Sequence, residues 1–202
     1  MEIRKVNPGE KQLINEIVEI HMKTFTGFFL TFMGRGFLRQ MYSCYTIREN
    51  SGLLEAEENG KMIGFLSYSA DMSGLYQYMI RHRLIFFAWY SLGAFLRKPA
   101  VFLHLIRAFL KPGEVTREEK YIEVSSIGVL PENKAQGVGS CLLDRVKKET
   151  DFSDVEYIAL ETDAEHNESA NRFYCKNGFQ LVRSYETLEG RKMNEYRFRP
   201  EV

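Results

Sequence analysis

Residues 121–148, YIEVSSIGVLPENKAQGVGSCLLDRVKK, constrain this chain more than any other stretch. Ile122, Val124, Ile127 and Val129 supply strand-forming side chains. Pro131 closes that run, because it has no N–H to donate to a ladder and fixes its own φ. A polar turn follows, with Gly137 and Gly139, and then apolar residues at 142, 143 and 146 on one helical face. The segment therefore reads as strand, glycine-rich turn, helix. Gly137 and Gly139 permit positive φ and remove Cβ atoms that would hold a ligand off the backbone. The unpaired N–H groups and dipole of the helix's first turn then favour an anion in the turn.

Two familiar phosphate motifs fail at the residue level. The dinucleotide fingerprint G-x-G-x-x-G needs a further glycine soon after Gly139, and the next is Gly178. The Walker motif needs Gly-Lys-Ser/Thr, where this chain has Gly139-Ser140-Cys141. What stands from Val129 to Ser140 is V-x-P-x-x-K-A-Q-G-V-G-S. It resembles the acetyl-coenzyme A pyrophosphate loop of the GNAT N-acetyltransferases, Val-x-Pro-x-x-(Arg/Gln)-Gly-x-Gly-x-Gly/Ala. Lys134 stands where Arg or Gln is usual, and Ala135 where Gly is frequent. Neither change removes a backbone donor.

A second match lies downstream. Residues 155–162 (VEYIALET) read as a buried strand, and residues 167–179 (NESANRFYCKNGF) as a helix with Gly178 in the left-handed position after its end. This resembles the family's Asn-x-x-Ala-x-x-(Leu/Phe)-Tyr-x-Lys-x-Gly-Phe signature without a gap. The two matches come in the right order and cover about the last 80 residues.

The remaining pattern fits the same layout. Residues 2–6 form a short strand candidate, and residues 11–25 carry apolar side chains at helical spacing. Residues 28–45 predict an aromatic-rich helix broken near Gly34-Arg35-Gly36. Asn59-Gly60 between two alternating runs, 53–57 and 62–69, predicts a hairpin. Residues 179–186 and 193–198 alternate around residues 188–191 and predict a terminal hairpin. The order β, α, α, β, β, insert, β, α, β, α, β, β implies an α/β (α+β) fold with a mixed, mostly antiparallel sheet covered by helices. At 202 residues and 45% hydrophobic, residues 1–202 are expected to form a single domain.

The insert between the third and fourth strands, residues 71–120, is the most individual segment. From Met72 to Pro112 it holds six of the chain's 27 Lys and Arg and no Asp or Glu, leaving 21 cations against 27 carboxylates elsewhere. Residues 84–96 (LIFFAWYSLGAFL) are nearly all apolar, but thirteen residues fall short of the about 20 a membrane-spanning helix needs. Pro99 suits a helix start, and residues 101–110 would form another short amphipathic piece. Two readings stay open: a helical cover packed on the sheet or on a second copy, or a membrane-surface or anionic-substrate patch through 72–112.

Composition narrows the partners. Lys and Arg balance Asp and Glu at 27 each, so no whole-molecule attraction to nucleic acid is expected. Cys44, Cys141 and Cys175 are widely spaced with no histidines at metal-ligand spacing, which predicts three reduced thiols and no metal. The start, MEIRKVNPGE, has no apolar signal core, and a cytoplasmic location is expected.

The resemblance implies an enzyme that moves an acetyl group from acetyl-CoA, its co-substrate, to a primary amine on a small-molecule or peptide acceptor. It implies that Ile127, Gly128 and Val129 pair with the cofactor's pantetheine arm. Lys134, Ala135, Gln136, Gly137, Val138, Gly139 and Ser140 would then cradle the pyrophosphate, and Asn167 would touch the arm or an ordered water. It places Tyr174 near the cofactor sulfur as general acid; a phenol's ordinary pKa near 10 suits that donation. Phe173 beside it would supply the core apolarity. Glu123 and Glu161 compete as general base. Strand alternation puts Glu123 on one side with Ser125, Ile127 and Val129 unless a bulge intervenes. His166 could relay protons through water. Phe28, Phe29, Phe32 and Tyr42 are candidate acceptor contacts. The aromatic insert and the lack of an acidic-groove signature suit a bulky acceptor, such as an amino-sugar intermediate, over a small polyamine. The competing reading is a non-catalytic acyl-CoA-binding or docking protein on the same scaffold.

Overall fold

Asn59 and Gly60 both take left-handed backbone angles, φ 53° and 75°, the geometry a two-residue hairpin loop needs. They join β2 (Ser51–Glu58) to β3 (Lys61–Ser69) in a computed structural model that describes residues 1–97, 99, 119–187 and 190–200. The expectations for residues 101–110 and for the turn at 188–189 lie outside the described residues.

Before the hairpin come β1 (Glu2–Lys5), α1 (Lys11–Thr24), α2 (Phe29–Met33) and α3 (Arg35–Ile47). Gly34, at φ 94°, ends α2 and starts α3, so the break foreseen at Gly34-Arg35-Gly36 is one residue with a conformation that L side chains resist. After the hairpin comes α4 (Met72–Arg97), then β4 (Tyr121–Val129) and a single 3-10 turn at Pro131–Asn133. The chain closes with α5 (Val138–Glu149), β5 (Tyr157–Asp163), α6 (Glu168–Lys176), β6 (Gln180–Glu186) and β7 (Lys192–Phe198). Gly178, at φ 79°, follows α6 as expected.

The strands form one seven-stranded sheet in the order β1-β2-β3-β4-β5-β7-β6. Every neighbouring pair is antiparallel except β4 and β5. β7 inserts between β5 and β6, a strand order the sequence pattern did not indicate. Two apolar layers cover the sheet. One holds Ile17, Leu38, Tyr42, Leu53, Phe65, Leu75 and Met79, from α1, α3, the sheet and α4. The other holds Leu54, Leu66, Leu142, Leu143, Ile158, Tyr174 and Phe179, from the sheet, α5 and α6. Consecutive residues Leu53 and Leu54, and Phe65 and Leu66, go to opposite layers, as strand alternation requires.

The first part of the insert is one continuous helix rather than short pieces. At 26 residues, α4 is about 39 Å long. Its start buries Leu75 and Met79, and Phe87 meets the ring of Phe37 at 4.7 Å between centroids. The Tyr90 ring occupies the space that a side chain at Gly36 would need.

Candidate active site

The turn after β4 is built by two left-handed residues. Ala135 sits at φ 63° and Gly137 at φ 84°, the latter capping α5. Asn133 Nδ2 donates to Gln136 Oε1 at 3.3 Å, and Gln136 Nε2 donates to the Glu132 carbonyl at 3.2 Å, so the turn is braced from within. Val138, Leu142, Leu143 and Val146 bury the inner face of α5 and aim its N-terminus at the turn. A Cβ at Gly137 would meet nothing within 4 Å. The concavity is therefore open, and the first-turn N–H groups of a twelve-residue helix face it. Gly139 differs. A Cβ there would lie 2.9 Å from the Phe173 ring, so this glycine is required by contact between α5 and α6.

Beside the turn, the sheet opens. β4 pairs with β5 only from Tyr121↔Tyr157 to Val124↔Leu160. Further along, Ile127, Gly128 and Val129 pair with β3 on one edge and have no strand on the other among the described residues. Thr24 Oγ1 donates to the Val129 carbonyl at 3.3 Å. A gap with an open backbone edge, ending at an anion-seeking turn, fits a long ligand with amide groups and a phosphate-bearing end. Acetyl-CoA has that chemistry, and Ile127, Gly128, Val129 and residues 134–140 are the ones that would hold it.

A bulge decides which side each β4 residue faces. The register with β3 runs Ser67↔Ser126 and then Tyr68↔Val124, leaving Ser125 as an extra residue. Ile122 and Val124 before the bulge, and Ile127 and Val129 after it, all meet the α5–α6 layer. Glu123 therefore faces away from Ile127 and Val129, which corrects the uninterrupted alternation expected from sequence. On β5, Ile158 and Leu160 join the same α5–α6 layer, so Glu161 shares the side of Glu123.

On that side the two glutamates line a cleft of about 180 Å³ with Leu30, Met41, Tyr45, Tyr76, Val124, Ser125 and Ser126. The expected lack of an acidic groove does not hold: two carboxylates line this cleft, and among the described residues no Lys, Arg or His does. Tyr185 donates its hydroxyl to Glu161 Oε2 at 2.7 Å, and Arg183 Nη2 stands 4.0 Å from Oε1. Burial pushes the Tyr45 and Tyr76 phenols well up, so both stay protonated. Of the four aromatics expected here, Tyr42 is a fully buried core residue and Phe29 and Phe32 pack against the same core. Phe28 is exposed, with the Arg191 guanidinium 5.8 Å from its ring centre. The cleft's aromatic lining is Tyr45 and Tyr76 instead. Tyr76 comes from α4, which the periodicity of α3 and β4 gives no means of placing.

Tyr174 belongs to the layer on the sheet face opposite the two glutamates. It is 8% exposed in the α5–α6 layer, with Phe173, Tyr196 and Phe179 at 5.3, 5.8 and 6.3 Å between ring centres. Burial, reinforced by Tyr196, pushes its phenol up to about 12. Phe173 packs partly buried against the same layer, as expected, and Tyr174 is the buried side chain of α6. Asn167 donates from Nδ2 to Thr162 Oγ1 at 2.7 Å, while its carbonyl accepts from Asn171 Nδ2 at 2.8 Å. His166 is exposed, at φ 58°.

One pair escaped the sequence reading altogether. His21 Nδ1 and the Tyr42 hydroxyl are hydrogen-bonded at 2.6 Å in the core between α1 and α3. Phe65 stacks on the imidazole and Phe25 packs tilted against it, and its Nε2 has no hydrogen-bond partner among the described residues. Burial pulls the imidazole pKa down to about 4. The signal was present: position 21 continues the apolar stripe of Ile14, Ile17 and Val18 at helical spacing.

A sequence model described as the Acetyltransferase (GNAT) family matches residues 14–179. No curated protein matches the chain by sequence. Among solved structures, the aminoglycoside 6'-acetyltransferase type Ii superposes with a TM-score of 0.64 at 13% identity over 100% of both chains. The ribosomal-protein-S18-alanine N-acetyltransferase from Escherichia coli superposes with a TM-score of 0.59 at 16% identity over 100% of this chain and 94% of that one. NAA60 of Arabidopsis thaliana, solved with acetyl-CoA, gives a TM-score of 0.56 at 15% identity over 98% and 97%.

Proposed function

Because the chain belongs to the GNAT acetyltransferase family, we propose that it transfers the acetyl group of acetyl-CoA to a primary amine held in the cleft of Glu123 and Glu161. The observation that carries this reading is the gap where β4 leaves β5. One end of the gap meets the turn of Ala135 and Gly137, and its flank meets the carboxylate-lined cleft. Acetyl-CoA, once bound, supplies an already activated thioester, so the protein's work is positioning and proton transfer. Gly137, Val138, Gly139 and Ser140 offer main-chain N–H groups to the pyrophosphate, with Lys134, Ala135 and Gln136 shaping the loop.

Glu123 takes the proton from the incoming ammonium, directly or through one water, leaving a lone pair on nitrogen. Glu161, held by Tyr185 near the Arg183 charge, orients the amine. Tyr174 keeps its proton at working pH and donates it to the thiolate as the C–S bond breaks. The second proton shed by the nitrogen on forming the amide returns through water to the phenolate. The acceptor's amine sits on a slender arm, because about 180 Å³ is below the size of clefts that enclose drug-sized molecules. The similar solved proteins named for an aminoglycoside and for a ribosomal-protein alanine support an amine acceptor of either origin.

An amine-acceptor screen read by thiol release tests the proposal. Turnover with one class of primary amine, lost in Glu123→Gln, is the expected result. Tight acetyl-CoA binding without thiol release to any amine would overturn it in favour of a non-catalytic binding protein.

A further inference from the structure

The second half of α4 carries a face that the core clusters of the described residues do not use. Leu84 is 57% exposed, Ile85 82%, Trp89 71%, Leu92 48% and Leu96 71%. At 100° per residue these positions, with Arg81, fall within an arc of about 140°. The core contacts of Leu75, Met79, Phe87 and Ser91 lie on the remainder of the helix, together with the part-exposed Ile80, Phe86 and Tyr90. Large apolar side chains scattered singly over a surface are ordinary, but five on one stripe of one helix form a contiguous patch that calls for a cover.

Charge identifies the cover. From Met72 to Arg97 the helix has no Asp or Glu, and Arg81, His82 and Arg83 interrupt its apolar run at one end. A second copy of this chain would bring like cations together across a two-fold axis, with no carboxylate on the helix to pair them. An anionic lipid surface meets both halves of the pattern: its acyl boundary takes the leucines, the isoleucine and the tryptophan, and its headgroups take Arg81, with His82 at the border of the stripe. Among the described residues, no helix is long and apolar enough to cross a membrane. We propose that α4 lies on anionic bilayers through Leu84, Ile85, Trp89, Leu92 and Leu96, docking the protein at a membrane surface.

Trp89 is the chain's only tryptophan and stands on this face, so its fluorescence reports the contact directly. The full chain is mixed with vesicles of phosphatidylglycerol and phosphatidylcholine in equal parts, and with phosphatidylcholine alone. The expected result is a blue-shifted Trp89 emission and co-flotation with the anionic vesicles, and at least tenfold weaker partition into the neutral ones. The double variant Ile85→Glu with Leu92→Glu changes exposed side chains only. It should lose flotation while keeping acetyl transfer to a water-soluble amine, which separates this proposal from the catalytic one. Arg81→Glu should lower partition by about tenfold and flatten its salt dependence. An emission unmoved by anionic vesicles would overturn the proposal. So would equal binding to both vesicle types, or a dimer in light scattering that Ile85→Glu dissociates.

Discussion

Tyr185 of β6 donates its hydroxyl to Glu161 of β5 at 2.7 Å, across the intervening β7. Burial and the Glu161 carboxylate push that phenol up, so it remains a donor throughout the working pH range. Glu161 thus carries a fixed hydrogen bond and a guanidinium at 4.0 Å. Glu123 faces the same cleft from β4. Glu123→Gln should lower turnover by about 10²- to 10⁴-fold, most severely at low pH where the amine is most protonated. Glu161→Gln keeps an acceptor for Tyr185 and should cost turnover less than about tenfold while raising acceptor KM. Rate–pH profiles of both variants check the division, and equal losses would refute it.

Tyr174→Phe should lower turnover by about ten- to ten-thousand-fold and leave acetyl-CoA affinity nearly unchanged. The ring sits among Phe173, Phe179 and Tyr196, so the variant keeps its packing and should unfold at nearly the wild-type temperature. With its phenol pushed up to about 12, Tyr174 should add no basic limb to the rate profile below about pH 11. Full activity in the variant would mean that solvent protonates the thiolate.

Ala135 and Gly137 separate backbone strain from ligand access. Ala135 holds φ 63°, a region that costs an L residue about 1–2 kcal/mol. Ala135→Gly relieves that strain but frees the unfolded chain, so the net gain should be between about 0 and 1 kcal/mol. Gly137→Val puts a β-branched residue at φ 84° and should destabilise by about 1–3 kcal/mol. No protein atom lies within 4 Å of the new Cβ, so a further drop in acetyl-CoA affinity, measured by calorimetry on the folded variant, reports the lost approach to the backbone.

His21 makes stability depend on pH. Its pKa falls from 6.5 in the unfolded chain to about 4 in the fold, so between those values the unfolded chain binds the extra proton. The stability is fully present above about pH 6.5, drains as pH falls toward 4, and amounts to about 3 kcal/mol at most. His21→Leu should remove that part of the acid slope. Urea unfolding at pH 7 and pH 4.5 measures it, and an unchanged difference between the two would rule His21 out as the sensitive group.

The local devices of this fold were legible in the sequence. Asn59-Gly60, Gly34, Gly178 and the run from Val129 to Ser140 each specify backbone angles that few other residues adopt. What depended on a partner strand was not. The bulge at Ser125 exists only relative to β3, and it alone sets the side on which Glu123 lies. The strand order β5-β7-β6 and the Tyr185–Glu161 bond arise from pairing between distant segments. The arrival of Tyr76 at the cleft required knowing that α4 is one rod rather than several pieces.

The four-residue ladder between β4 and β5 has a mechanical meaning as well. It is the one parallel seam in the sheet, half the length of the eight-residue ladder between β2 and β3. On one side stand β1 to β4 with α1 to α4, and on the other β5, β7 and β6. A ligand seated in the gap works like a spline between two boards, joining halves that the backbone alone holds by a short edge. Occupancy at a hundredfold excess over Kd would add about 2.7 kcal/mol against unfolding. Amide exchange along β5 and β7 should slow more than along β2. The substrate of such a protein is also, while it stays, part of its frame.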